Sequence, residues 1–262
     1  MDIALSAIQS PEVLKLLAHD VRWKILNLLA RSDYCVQELV RLLEQPQNLV
    51  SYHLRRMHDL GIVNERRSTA DGRDIYYSLD LEKLQTLYFS GARALHPALG
   101  NTRVSAEERV TIPAHTSLRI LFLCTGNSAR SQMAEGLLRH LSQEQIEVFS
   151  AGSNPRRLHP YAVRVMAAMG IDISLQRAKH FDEFRGQSFD YVITVCDRIK
   201  EKCPTFPGNP EPAHIHWSLP DPSLMEGSEE EKYAVFEQIA QQLRTRIRYL
   251  LVQLQHELLT AR

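Results

Sequence analysis

The sequence predicts two domains of different fold class: a mainly α-helical N-terminal domain with one β-hairpin, then an α/β domain with a central parallel sheet. The chain has 262 residues, which exceeds the length of one typical domain. Apolar residues recur at helical spacing up to residue 95, whereas short apolar strands alternate with helices from residue 118 onward. Residues 96–117 lose this periodicity and contain prolines and a glycine. We therefore expect domains at 1–95 and 118–262, joined by a linker at 96–117.

The N-terminal elements are predicted from helical periodicity and from residues that start or stop helices. Ser10 is a predicted cap for the first helical segment, and a first-turn proline follows it. Pro46 ends one helix, because proline disfavours the helical conformation of the residue before it, and Gly61 caps the next helix. The predicted elements are one or two helices within 10–29, helices at 36–43, 46–60 and 81–95, and strands at 62–63 and 75–79 that flank a polar hairpin.

The C-terminal elements are predicted from continuous apolar strands that alternate with amphipathic helices. The predicted strands are 118–123, 146–150, 191–195 and 215–219, and the predicted helices are 129–141, 160–169 and 229–259. Strands separated by helices imply crossover connections and therefore a parallel sheet.

Charge and composition exclude several classes of protein. Lys plus Arg and Asp plus Glu each number 31, so binding to nucleic acid or an acidic membrane would need a local basic patch. No apolar run approaches about eighteen residues, and the first ten residues lack the pattern of an export signal. We expect a cytoplasmic protein with no membrane partner, whose four cysteines are reduced, metal-binding or catalytic.

Residues 124–131 form the most informative motif, because they lie between a buried strand and a helix. Unpaired backbone N–H groups and the helix dipole favour an anion at such a junction. Gly126 allows positive φ, which lets N–H groups point inward, and Arg130 can hold two oxygens of a tetrahedral anion. The same environment favours the thiolate of Cys124, with Ser131 near its sulfur and Asn127 bracing the loop. The predicted oxyanion-binding residues are Thr125, Gly126, Asn127, Ser128, Ala129, Arg130 and Ser131.

The spacing of Cys124 and Arg130 in this context resembles the low-molecular-weight protein tyrosine phosphatase fold over about residues 118–254. The resemblance implies a general acid in a downstream Asp-Pro pair, and Asp221-Pro222 fits that role by donating a proton to the reacting oxygen. Ser223-Leu224 follow where phosphatases of this fold usually carry tyrosines, so no aromatic wall for an aryl substrate is expected.

Two further cysteines bear on the choice between hydrolysis and reduction. Cys196 follows a predicted strand, and Cys203 follows seven residues later. A helix between them would separate their Cα atoms by roughly 10 Å, beyond the roughly 4 to 7 Å that a disulfide permits. A bond between them would require unwinding, which Pro204 favours because it denies the segment a helical continuation. A hydrolytic phosphatase needs no second thiol, whereas a reductase must supply two electrons.

The three cysteines with Arg130 and Asp221 resemble the thioredoxin-coupled arsenate reductases, and Cys-Thr-Gly-Asn-Ser-Ala-Arg-Ser-Gln-Met-Ala-Glu resembles their loop. The resemblance implies that Cys124 attacks arsenate, Cys196 attacks the Cys124 sulfur to release arsenite, and Cys203 then attacks Cys196. It implies thioredoxin as the electron donor and no tightly bound cofactor. The open alternatives are a phosphatase fused to a regulator, a C-terminal half that only senses anions, and glutathione or mycothiol as the thiol donor.

The third predicted helix and the hairpin after it carry polar and basic side chains suited to DNA. A helix in the major groove would read base edges, while arginines would contact phosphates. The predicted base-reading residues are Gln47, Asn48, Ser51, Tyr52 and His53, and the predicted phosphate contacts are Arg55, Arg56, Arg66, Arg67 and Arg73. Residues 11–95 resemble the ArsR/SmtB winged helix-turn-helix repressors, which implies double-stranded operator DNA as a partner and a homodimer. A winged helix used only for protein contacts is the alternative.

The inducer of such a regulator is not evident from the sequence. Arsenic repressors often carry two cysteines separated by one residue, where this chain has Cys35-Val36-Gln37. A trivalent arsenic site normally needs three thiolates, so Cys35 would need thiols from elsewhere to bind arsenite. Alternatively, Cys35 is a buried apolar residue, and the domain responds to the redox state of the catalytic half.

Overall fold

The computed structural model describes residues 10–70, 72–96, 99, 118–200, 203–208 and 210–260. The chain divides into two compact units, an N-terminal one and a C-terminal one. Most of the predicted linker lies outside the described residues, as do residues 1–9, so the linker stays a prediction. In the part of the chain that the structure describes, none of the helices is long and apolar enough to span a membrane.

The N-terminal unit is mainly helical and contains one small antiparallel sheet. Its elements are α1 (Glu12–Leu17), α2 (Asp20–Leu29), β1 (Tyr34–Cys35), α3 (Val36–Leu43), α4 (Gln47–Asp59), β2 (Val63–Arg67), β3 (Ile75–Leu79) and α5 (Leu81–Leu95). The sheet has the order β1-β3-β2. The apolar faces of α2 and α4 supply much of its core, with Ile25, Val50, Leu54 and Met57 buried.

Three details of this unit differ from the sequence prediction. The predicted cap at Ser10 is wrong, because α1 begins at Glu12 with Pro11 in the capping position and no capping side chain. Arg66 and Arg67 lie in β2 rather than in the hairpin, since β2 pairs with β3 as far as Arg67 opposite Ile75. The two-residue strand β1 was not predicted. By contrast, the C-terminal glycine cap of α4 is confirmed at Gly61, whose φ is 72°.

The C-terminal unit is an α/β fold around a four-stranded sheet of order β5-β4-β6-β7, in which every neighbouring pair is parallel. Its elements are β4 (Arg119–Cys124), α6 (Arg130–Leu141), β5 (Glu147–Gly152), α7 (Pro160–Ala168), β6 (Tyr191–Thr194), α8 (Asp197–Lys200), β7 (Ala213–His216) and α9 (Glu229–Thr260), with short 3₁₀ helices at Phe181–Phe184 and Pro222–Leu224. The predicted parallel α/β class is therefore confirmed.

The last strand begins two residues and ends three residues earlier than predicted. β7 pairs with β6 from Ala213 to His216, after which the chain leaves the sheet. Trp217 and Leu219 are buried beyond the last strand residue, and the Trp217 N–H still donates to Thr194 O at 2.8 Å, so the apolar residues after β7 resemble a continuation of the strand. Because parallel strands end at one edge of a sheet, Cys124, Gly152 and the residues after Thr194 and His216 meet at that edge.

Candidate active site

The sulfur of Cys124 lies at the end of β4, where the loop to α6 folds around it. Ser131 Oγ lies 2.9 Å from this sulfur, and the backbone N–H of Asn127 donates to it at 3.1 Å. Cys124, Asn127 and Ser131 are all buried. A sulfur at this position, beside an N–H donor and a hydroxyl group at a helix N-terminus, is placed to act as a nucleophile on a bound anion.

The left-handed residue of the loop is Asn127, with φ of 43°, and not Gly126 as the sequence predicted. Asparagine tolerates this region, and hydrogen bonds hold it there. Its Nδ2 donates to Ser131 Oγ at 2.9 Å and to Ser150 Oγ at 2.8 Å, and its Oδ1 accepts from Lys179 N at 2.8 Å. The side chain of Asn127 thus fixes the hydroxyl group that contacts the nucleophile.

Two side chains of α6 support the loop, and neither was predicted from the sequence. Gln132 Nε2 donates to the backbone oxygen and to Oδ1 of Asn127, both at 3.0 Å, and to Arg177 O at 2.9 Å. Glu135, also buried, pairs with Lys179 Nζ at 3.2 Å. Both residues lie in the run from Cys124 to Glu135 that the sequence analysis quoted. Their closeness to the loop in the sequence was the signal that could have identified them.

The end of β5 presses against the loop and was also missed. A Cβ at Gly152 would lie 2.6 Å from Thr125 O and 2.9 Å from Asn127 N, so only glycine allows this approach. Backbone N–H groups within 154–159 donate to the carbonyl oxygens of Thr125, Gly126 and Ser128 at 2.8, 2.8 and 2.9 Å. Because these carbonyl groups are hydrogen-bonded to residues 154–159, they point away from the pocket. The N–H groups of the loop are therefore available to bind an anion.

Arg130 and Asp221, the predicted oxyanion-binding cation and general acid, meet at the same site. Arg130 Nη2 lies 2.6 Å from Asp221 Oδ2, and Arg130 Nη1 donates to Leu219 O at 2.9 Å. Asp221 Oδ1 accepts from both the N–H and the hydroxyl group of Ser223, at 3.1 and 2.7 Å. These contacts position the carboxyl group at the pocket that Cys124 lines.

Cys196 lines the same pocket as Cys124. Its Sγ lies 3.4 Å from Thr125 Oγ1, and the side chain is buried. Burial raises the pKa of Cys196, the nearby Cys124 raises it further, and Arg130 opposes the change. All four cysteines are free thiols in this structure.

Cys203 is not among the residues that line the pocket. Its half-buried thiol donates to Pro204 O at 3.7 Å, and burial raises the pKa of Cys203 to about 11. The helix that begins after Cys196 is α8, which is shorter than the two turns considered from the sequence, and residues 201–202 lie outside the described part. Of the three cysteines in this unit, the structure brings two together.

The pocket of Cys124 is lined by residues of the C-terminal unit that suit a small anion. They include Arg156, Ser223 and the exposed Leu224. Among the described residues of this unit that line the pocket, none is aromatic. The opening therefore offers cationic and small polar groups, and it lacks the ring surfaces that would hold an aryl ester.

The predicted DNA-binding side chains lie on the surface of the N-terminal unit, with two exceptions. The exposed ones are Gln47, Asn48, Ser51, Tyr52, Arg55, Arg56, Arg67 and Arg73. Arg66 is half-buried. The prediction that His53 reads bases is wrong, because its side chain is only 2% exposed and packs 4.4 Å from the His19 ring. Burial, together with His19 and Arg22, lowers the pKa of His53.

Cys35 is 8% exposed and stands at the start of α3, where its backbone N–H donates to Glu38 at 2.9 Å. Burial raises the pKa of Cys35, which favours the neutral thiol over the thiolate that a metal needs. Within the described residues, no cluster of three or more His, Cys, Asp or Glu side chains could hold a metal ion. These contacts fit an apolar packing role for Cys35.

Comparison with known families matches each unit separately. Residues 119–260 match the family described as low molecular weight phosphotyrosine protein phosphatase. Residues 19–65 match the bacterial regulatory proteins of the arsR family.

Curated relatives of the C-terminal unit include arsenate reductases. That of Halalkalibacterium halodurans is 42% identical over 129 residues, which covers 49% of this chain and 91% of the relative. That of Bacillus subtilis is 40% identical over 129 residues, with the same coverage of 49% and 91%. A solved arsenate reductase in the oxidized state shows 31% identity and a TM-score of 0.44, covering 52% of this chain and 98% of that one.

Proposed function

The chain belongs to the low molecular weight phosphotyrosine protein phosphatase family, and we propose that it is an arsenate reductase joined to an arsenic-responsive DNA-binding regulator. The observation that carries the proposal is the position of Cys196, which lies beside the oxyanion loop in the pocket of Cys124. A second thiol at this position can contribute to a two-electron reduction. Hydrolysis of a phosphate ester does not need a second thiol. The arsenate reductases among the relatives support the same choice.

The first step forms a bond between sulfur and arsenic. Backbone N–H groups of the loop and the Arg130 guanidinium bind the arsenate oxygens, and the Cys124 thiolate attacks As(V). The S–As bond forms as one As–O bond breaks, and Asp221 protonates the oxygen that leaves as water. The 2.6 Å contact between Arg130 and Asp221 supports these two roles, because it keeps a carboxyl group next to the guanidinium.

The second step is the reduction. The Cys196 thiolate attacks the Cys124 sulfur, a disulfide forms between them, and the S–As bond breaks. Its electron pair passes to arsenic, which leaves as As(III) in arsenite. Cys203 then attacks Cys196, which releases Cys124 as a thiolate and leaves a disulfide between Cys196 and Cys203.

The remaining disulfide is returned to two thiols by exchange with a reduced dithiol protein, for which we propose thioredoxin. Electrons come from that protein, so no tightly bound cofactor is required. Because Cys203 does not line the pocket, the exchange requires a local rearrangement that brings it to Cys196.

The decisive experiment measures arsenate-dependent NADPH oxidation with thioredoxin and its reductase. We expect Cys124→Ser, Cys196→Ser and Cys203→Ser each to lose turnover, while the matched control Cys35→Ser retains it. Full activity of Cys203→Ser would contradict the relay. Turnover that requires glutathione or mycothiol instead of thioredoxin would replace the proposed donor, and no arsenite with any donor would refute reduction.

A second candidate activity is phosphate ester hydrolysis. Cys124, Arg130 and Asp221 form a nucleophile, an oxyanion clamp and an acid without help from Cys196. Hydrolysis of a small phosphate ester should therefore survive Cys196→Ser and Cys203→Ser. If ester hydrolysis is fast while arsenate reduction is absent, the phosphatase is the principal activity.

For the N-terminal unit we propose a homodimer that binds double-stranded operator DNA and is released by arsenite or by oxidation of the C-terminal unit. The arsR family match and the exposed arginines of α4 support DNA binding. Fluorescence anisotropy with promoter DNA, with and without arsenite, tests this role. Binding that is absent under reducing conditions at low salt would favour a winged helix used for protein contacts.

A further inference from the structure

Four buried polar side chains surround the backbone on both sides of Cys196. Asp197, with 0% exposure, follows this cysteine directly, and Thr194 precedes it by two residues. His216 lies between them in space, with Nδ1 2.8 Å from Thr194 Oγ1 and Nε2 3.3 Å from Asp197 Oδ1. Ser218 Oγ donates to the same Asp197 oxygen at 2.8 Å. Residues 194 and 197 are thus both hydrogen-bonded to residues 216–218, at the end of β7.

The burial of four polar side chains in one cluster requires a structural reason. A buried carboxylate is costly unless hydrogen bonds satisfy it, and a network of this kind fixes its members in one arrangement. Nothing in the proposed chemistry uses Asp197 or His216 as a nucleophile or an acid. The network instead holds the residues that flank Cys196 in the sequence, with Thr194 on one side and Asp197 on the other.

We propose that Thr194, Asp197, His216 and Ser218 form an anchor that keeps Cys196 directed at Cys124 throughout the thiol relay. The inference rests on the proposed reductase function and specifies which part of the relay moves. With residues 194–197 fixed, the rearrangement begins after Asp197, and Cys203 travels to Cys196. Asp197 and His216 are accordingly positioning residues, which act through the orientation of the cysteine between Thr194 and Asp197.

The test uses the full-length chain with Cys203→Ser, in which the relay stops at the disulfide between Cys124 and Cys196. After one addition of arsenate, formation of that disulfide is followed by quenching and mass spectrometry. We expect Asp197→Ala to slow it at least tenfold, and Asp197→Asn, which keeps the size of the side chain and one accepting oxygen for Ser218, to recover part of the rate. Affinity of the loop for inorganic phosphate should stay within about twofold, because the loop contacts are untouched.

Val192→Ala, a cavity variant two residues before Thr194 in β6, is the control for lost stability, and it should leave the disulfide rate near that of the parent. Equal rates for Asp197→Ala and the parent would overturn the anchor. Equal slowing by Val192→Ala would also overturn it, since stability alone would then explain the effect. If the parent itself forms no disulfide and releases no arsenite, the reductase function fails instead.

Amide hydrogen exchange of the wild-type chain gives a second test that does not depend on folding of a variant. Oxidised protein, with the disulfide between Cys196 and Cys203, is compared with reduced protein. We expect residues 194–197 and 215–218 to keep their protection, and residues 198–200 to lose it. Loss of protection at 194–197 to the same extent would show that Cys196 moves, and the anchor would be refuted.

Discussion

The oxyanion loop buries the side chains of Asn127, Arg130 and Ser131, whereas helix α4 exposes most of its polar side chains. In the loop, Asn127 and Ser131 are hydrogen-bonded to each other and to the groups beneath them, and they contact the nucleophile. On α4, Ser51 and Arg55 lie at the surface. A small tetrahedral anion is best stabilised by donors fixed around it in advance, whereas DNA presents a long row of phosphates that a protein meets at its surface. Sensitivity to small changes should therefore differ between the two regions.

The largest effect is expected from Arg130→Lys in the loop. Lysine keeps the charge but loses the two parallel donors that grip a tetrahedral anion and the contact to Leu219 O. We expect kcat/KM for arsenate to fall by about 100-fold or more, in the range found for loss of one preorganised donor. Arg164→Lys, an exposed arginine of α7, is the matched control and should stay near wild type. Similar activity of both variants would contradict a bidentate role for Arg130.

The pH dependence of the last exchange should be the next largest effect. The pKa of Cys203 is raised to about 11, so near neutral pH almost all of this thiol is protonated, and its thiolate fraction grows about tenfold with each pH unit. In a single turnover, conversion to the disulfide between Cys196 and Cys203 should accelerate close to tenfold from about pH 7 to 8 and again from 8 to 9. A plateau reached below pH 8 would exclude Cys203 deprotonation as the limiting event.

Gly152→Ala tests how closely the loop depends on its support. The added Cβ would lie 2.6 Å from a loop carbonyl oxygen, so the loop must shift, and we expect roughly a tenfold loss in kcat/KM with weaker phosphate binding. Gly170→Ala is the control, because its φ of 77° strains the backbone while the added atom meets open space. If the two variants lose stability alike and keep equal activity, the loop tolerates displacement.

On α4, single changes should have smaller and more uniform effects. Replacing Arg55 or Arg56 by glutamine should weaken binding to all DNA sequences several-fold and reduce the slope of log affinity against log salt by about one for each lost phosphate contact. Arg244→Gln, an exposed arginine of the C-terminal unit, serves as the control. A change in sequence preference with an unchanged salt slope would assign these arginines to base contacts.

The smallest effect is expected from Cys35→Ser. Because this thiol is buried and its pKa is raised, release from DNA by arsenite should occur at the same arsenite concentration in the variant and the wild type. Anisotropy titration measures this directly. Loss of the response, with DNA affinity intact, would mean that Cys35 binds arsenic together with thiols from elsewhere.

Local signals predicted most of the fold. The helix at Leu81–Leu95 was predicted to the residue, because apolar spacing is regular and Asp80 caps it. β1 escaped prediction because a two-residue strand exists only through its pairing with β3, which is a tertiary contact. The burial of His53 was accessible in principle, since it follows Val50 by three residues on the apolar face of α4.

For the candidate site, the sequence predicted residues 124–131 and the distant Cys196 and Asp221. It did not predict Gly152, which matters through a close approach between β5 and the loop. It also did not predict the network of Asp197 and His216, because these residues meet only when β6 and β7 pair. Residues that act by supporting others carry little signal of their own in a single sequence.

The support given to the loop by residues 154–159 has a consequence for how such a site can diversify. That segment binds the loop through backbone N–H groups, which every residue except proline provides. The side chain at Arg156, which lines the pocket, is therefore open to replacement without loss of the support. Exchange at this position offers a route to variants of this scaffold that accept other oxyanions while the catalytic loop keeps its shape.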